Sequence, residues 1–112
     1  MSLKIFDSAL RSAGDMAGVF EYDGETGYFY LYDTRANQGH KVIDSIHVLS
    51  GRPDFTEADV TVRWDVSDGK VGLFICNALW AVFDSSHGTK YGGNYKAGKR
   101  PSLPPEAVFR LN

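Results

Sequence analysis

Apolar and polar residues alternate along much of this chain, and the clearest alternation lies between Ala58 and Asp84. Val60, Val62, Trp64 and Val66 interleave with Thr61, Arg63 and Asp65, the pattern of a strand with one face buried. Residues 71–76 place Val71, Leu73 and Ile75 on one side and Gly72, Phe74 and Cys76 on the other. Both sides are apolar, so this strand is expected at the centre of a sheet. Residues 79–84 repeat the arrangement, with Leu79, Ala81 and Phe83 opposite Trp80 and Val82. Ser67-Asp68-Gly69 and Asn77-Ala78 supply the turns, through residues that tolerate a positive φ, and the whole reads as an antiparallel meander.

The same reading extends upstream. Residues 16–33 predict a second hairpin, with strands at 19–22 and 28–32 around a loop at 23–27 that holds two glycines. Tyr28, Tyr30 and Tyr32 fall on one face of the returning strand, and Phe29 and Leu31 on the other. Residues 41–49 predict a further strand, with Val42, Ile46 and Val48 on one side and Ile43 and Leu49 on the other. Residues 2–12 set Leu3, Phe6 and Leu10 at helical spacing, so a short N-terminal helix is expected; an extended start at Leu3 and Ile5 is the alternative. Residues 85–100 contain four glycines, no acid and no aliphatic run, and read as a basic loop or arm. Beyond Pro101, Pro104 and Pro105, residues 107–111 could return as an edge strand. The expected fold is mainly β: a single antiparallel meander of six or seven strands forming a curled sheet or small open barrel.

Composition sharpens this picture. A chain of 112 residues is expected to form one domain over 1–112, and 43% hydrophobic with 23% charged residues is the balance of a folded globular protein. The one cysteine, Cys76, has no partner for an internal disulfide and is expected as a buried thiol in a reducing compartment. No apolar run approaches the roughly 20 residues a bilayer requires, and the N-terminus lacks a signal-like apolar core, so a cytoplasmic protein without a membrane partner is expected. Charge is unevenly placed. Residues 1–84 carry 13 Asp and Glu against 7 Lys and Arg, whereas residues 85–112 carry 1 against 5.

The run GVFEYDGETGYFYLYD, followed by KVIDSIHVL and WDVSDGKVGLFICNALWAVFD, resembles a family of small bacterial proteins known as a domain of unknown function, the DUF2251 type. An acidic DGETGYFY hairpin, an extended run with an Ile-His-Val step and a DG-turn hairpin ending in AVFD carry the likeness, over about residues 19–84. The resemblance implies a bacterial origin and a compact β-rich domain, and it transfers no activity.

Candidate chemistry is sparse. Asp23, Glu25 and Asp33 crowd the ends of the first hairpin, where turn formation accounts for them better than a carboxylate pair or a cation site. His40, His47 and His87 lack metal-ligand spacing, and a strand sends Asp44 and His47 to opposite faces. No catalytic residue, metal or cofactor is expected. The arm interleaves Lys90, Lys96, Lys99 and Arg100 with Tyr91 and Tyr95, a combination that can hold an anion or a nucleic-acid backbone. The net charge of −2 argues against nucleic acid. The row Tyr28, Tyr30 and Tyr32 is core if the N-terminal segment or the tail covers it, and otherwise offers rigid aromatic area to a protein partner or a second copy. These features rank a non-enzymatic interaction module first, of inhibitor or immunity type. A small-ligand barrel or enzyme, with a pocket near His47, Asp44 and the basic arm, ranks second. Single-stranded nucleic-acid binding through residues 87–100 ranks third.

Overall fold

The protein is described from a computed structural model, which covers residues 4–36 and 41–96. These residues fold into two β-sheets stacked face to face. The first holds β1 (Ile5–Leu10), β2 (Met16–Tyr22), β3 (Thr26–Asp33), β4 (Val42–Ser50) and, at its edge, the short β9 (Tyr95–Lys96). The second holds β5 (Val60–Trp64), β6 (Lys70–Ile75), β7 (Ala78–Asp84) and β8 (Thr89–Gly92) in that order. Neighbouring strands run antiparallel, apart from β9, which runs parallel to β4.

The mainly β fold agrees with the alternation in the sequence, but the single meander and the barrel are corrected: there are two meanders. β4 and β5 do not pair. The chain leaves the first sheet at Gly51, a position with φ +91°. It buries Phe55 on the way, makes a 3₁₀ turn at Glu57–Asp59 and starts the second sheet. Each sheet has one strongly apolar face, and stacking two such faces removes both from water. Phe20, Phe29, Leu31, Ile46 and Val48 from the first sheet meet Val62, Val71, Leu73, Ile75 and Phe83 from the second. Phe29 and Phe83 touch ring to ring at 5.1 Å between centroids. At Gly18 the sheets approach so closely that an added Cβ would lie 2.5 Å from Val71 Cγ2.

Four further expectations are corrected. Residues 5–10 form a strand rather than a helix: Ile5 is buried, whereas Phe6 and Leu10 face solvent. A spacing of four residues returns to the same face of a strand as well as of a helix, so Phe6 and Leu10 fitted both patterns. Cys76 is exposed rather than buried. It shares a two-residue turn with Asn77, at φ 51° and 66°, which places the turn one residue earlier than Asn77-Ala78. Third, bulges disturb the predicted faces. An extra residue at Val48 puts both Val48 and Leu49 inside, and one at Trp80 separates Leu79 from the face of Ala81 and Phe83.

Last, much of the basic arm is ordered sheet. β8 pairs with β7, and β9 pairs with β4 across the open side of the sandwich. Backbone hydrogen bonds suffice for such strands, and Gly92, Gly93 and Asn94, all at positive φ, let the chain cross between sheets. The proposed edge strand at residues 107–111 lies outside the described residues.

Candidate functional site

The outward face of the first sheet is a grid set by strand register. Phe6, Glu21, Tyr28 and His47 lie side by side across β1 to β4, then Ser8, Val19, Tyr30 and Ser45, then Leu10, Ala17, Tyr32 and Val42. Tyr28 and Tyr30 stack at 5.8 Å between ring centroids and 18° between planes; Tyr30 and Tyr32 do so at 5.9 Å and 21°. His47 meets Tyr28 edge-on at 5.2 Å. Packed rings hold one another in place, so the surface is preorganised. Burial, then the nearby Glu21 carboxylate and the flanking tyrosines, raise the pKa of Tyr30 above its ordinary value. Its hydroxyl stays a neutral donor.

Around this row the face is unusually apolar for an exposed surface. Phe6 is 53% exposed, Leu10 62% and Val42 48%. Two depressions flank the rings. One, of about 420 Å³, is lined by Ala17, Tyr32, Asp33, Thr34, Lys41 and Val42. The other, of about 330 Å³, lies at the opposite end among Lys4, Ile5, Phe6, Glu21, Asp23 and Glu57. The second end is acidic.

The other predicted residues are dispersed. Asp44 pairs with the inward-facing Leu31, whereas His47 pairs with the outward-facing Tyr28, so no single pocket takes both. Asp44 accepts a hydrogen bond from Lys90 Nζ at 2.8 Å, and Lys90 also donates to Ser45 O. That ion pair joins β4 to β8 at the rim of the sandwich, and the hydrogen bond from Lys90 holds the Asp44 pKa below its usual value. Tyr91 lies half-buried on β8. Tyr95 donates its hydroxyl to Trp80 O at 3.0 Å and packs on the Trp80 ring, a structural role. The Lys96 side chain, Lys99, Arg100 and His40 lie outside the described residues.

Asp23 and Asp33 serve turns. Asp23 accepts the N–H groups of Thr26 and Glu25, which lower its pKa, and Asp33 accepts the N–H of Arg35. Among the described residues, no group of three or more His, Cys, Asp or Glu side chains is placed to hold a metal ion, and no helix is long and apolar enough to cross a membrane.

Sequence reasoning missed two features. Phe6 and Leu10 fit helical spacing, and Val42 alternates with Ile46 and Val48, but strand register places all three on the outward face with the tyrosines. The pair Asp84 and His87 was not foreseen: His87 Nδ1 lies 2.9 Å from Asp84 Oδ2, and Asp84 Oδ1 accepts the N–H groups of Ser86 and His87. Burial pushes the Asp84 pKa up, and these hydrogen bonds bring it to a net value below the ordinary 3.8. The spacing Asp-Ser-Ser-His carried that signal, as a polar turn directly after an apolar strand.

No solved structure matches this chain. An uncharacterized protein of Haemophilus influenzae is 39% identical over 82 residues, which is 70% of this chain and 50% of that protein. The chain thus spans about half the length of that curated relative. The model of the family described as "Uncharacterized protein conserved in bacteria (DUF2251)" matches residues 4–101, and the chain belongs to that family.

Proposed function

We propose that this bacterial protein is a non-enzymatic protein-interaction module and that its contact surface is the tyrosine face of the first sheet. One observation carries the reading: Phe6, Leu10, Tyr28, Tyr30, Tyr32 and Val42 share the outward face of the first sheet, with Val19 and Ala17 of β2 between them, and Phe6, Leu10 and Val42 are about half exposed or more. Large apolar side chains left in water on one surface are typical of a surface that is covered in use. Tyrosine suits such a surface because its ring gives contact area at small entropic cost while its hydroxyl stays hydrated. An inhibitor or immunity-type role fits a module that acts by occupying a partner.

The test is photo-crosslinking in the bacterial host, with a benzophenone amino acid placed at Phe6, Leu10 or, as a control on the exposed outer face of the second sheet, Thr61. The expected result is one discrete adduct from positions 6 and 10 and none from 61. Absence of any adduct from the face, or the same adducts from position 61, would overturn the reading.

A further inference from the structure

A surface that is covered in use needs an occupant of matching layout and charge, and the tyrosine face matches itself. Its rows repeat about the middle one. Phe6 and Tyr28 in the first row stand on the same strands as Leu10 and Tyr32 in the third, with Tyr30 between them. Charge is divided between the two ends. At the first row Glu21, Asp23 and Glu57 outnumber Lys4. At the third, the exposed Lys41 and Arg35 outnumber Asp33, whose carboxylate already accepts the backbone N–H of Arg35. The Arg35 guanidinium donates to Ala13 O, so this cation sits by the turn that leads into β2, the strand whose other end carries Glu21. The face is therefore negative at one end, aromatic in the middle and positive at the other.

Two copies that meet on this face about a two-fold axis can do so with the axis along the strands or across them. An axis along the strands sets first row on first row, and the acidic ends then face each other, which like charge opposes. An axis across the strands reverses the rows. Phe6 then lies over Leu10 of the other copy, Tyr28 over Tyr32, and Tyr30 beside its own counterpart, while each negative end covers a positive one. Complementarity to itself under a two-fold axis is what an isologous dimer requires. The grid spans three strand spacings of about 5 Å and four residues of about 3.4 Å, or roughly 14 Å each way. That places the contact at the small end of specific interfaces, so the dimer is a reversible one.

We infer that the occupant of the tyrosine face is a second copy of this chain, joined through a two-fold axis that runs across the strands and sets the Glu21 end of each copy over the Lys41 end of the other. The inference rests on the reading of this face as a contact surface and names its partner. It makes any other protein a competitor that must displace the second copy.

The test is sedimentation equilibrium of the full chain from low to high micromolar concentration. A monomer–dimer equilibrium is expected. Leu10→Arg sets a charge against Phe6 of the other copy and should weaken the dimer about tenfold, with the circular dichroism spectrum unchanged because Leu10 is 62% exposed. Glu21→Lys and Lys41→Glu should each weaken it about fivefold, and the two together should restore it, since the swapped charges again oppose each other. A chain that stays monomeric overturns the inference. So does a dimer indifferent to Leu10→Arg, or one that the double charge swap fails to recover, because either result assigns the contact to another surface or another axis. A monomer that still gives a discrete crosslink to a different protein from positions 6 and 10 removes the second copy alone. Failure of both removes the contact face as well.

Discussion

Both faces of the first sheet are built around aromatic side chains, yet they hold them in opposite states. Inward, Phe20 and Phe29 are fully buried against the second sheet. Outward, Tyr28, Tyr30 and Tyr32 lie on one another, half in water, with Phe6 and Leu10 beside them. Phenylalanine has no polar tip and gains only by leaving water, whereas tyrosine can cover apolar surface and keep a hydrated hydroxyl. The inner rings are sealed between the sheets, whereas the outer ones remain half in water.

The strongest way to break this contrast is to hollow the inner side. Phe83 is 1% exposed and packs on Phe29, so Phe83→Ala removes a large ring from a place where the two stacked sheets cannot easily collapse. A loss of about 3–5 kcal/mol is expected, a large fraction of the roughly 5–15 kcal/mol by which native domains are stable. Urea denaturation followed by tryptophan fluorescence measures it. A loss below about 1 kcal/mol would mean that the sheets are not held together through this contact.

A smaller effect is expected at the rim, where burial meets water. Asp84 ties down the turn after β7 by accepting from Ser86 and His87. Its pKa in the folded state lies below the ordinary 3.8, so it adds stability that is complete above that value and is lost as the pH falls through the lower folded value. Asp84→Asn should lower stability at pH 7 by about 1 kcal/mol, and the gap to the unmodified chain should close as the pH falls below about 4. Parallel urea titrations over that range decide it. A gap that stays constant with pH would show that the charge of Asp84 is not what holds the turn.

The legibility of the molecule in its sequence follows the same division. Strand alternation was readable wherever one face is buried and the other wet, as in β3 and β5, because burial then matches the period of the backbone. It failed where a spacing served two periods, as for Phe6 and Leu10, and where a bulge shifted the faces, as at Val48 and Trp80. The two-sheet division was hidden too. Residues 51–59 look like any polar loop, and only the need of both sheets to cover an apolar face turns that loop into a crossing. Of the candidate site, the tyrosine row was plain in the alternation of residues 28–32. Its flanking rows on β1 and β4 depend on register between strands, which one strand's sequence does not carry.

The smallest expected effect on stability is also the one that most sharpens the contrast. Leu10 is 62% exposed and sits in the outward row with Ala17, Tyr32 and Val42. If the outer face is not needed by the fold, Leu10→Ser removes apolar carbon that is already in water, and stability should change by no more than about 0.5 kcal/mol in either direction. Binding should respond quite differently. A side chain at the margin of a contact patch that becomes buried against a partner contributes apolar area, and its truncation should weaken the complex by about 1 kcal/mol, or roughly fivefold in affinity. Denaturation of Leu10→Ser beside a crosslinking yield from position 6 in the same variant reads both quantities. Unchanged stability with a reduced yield separates the two faces as argued, whereas a loss of about 2 kcal/mol or more would place Leu10 among the residues that hold the sandwich together.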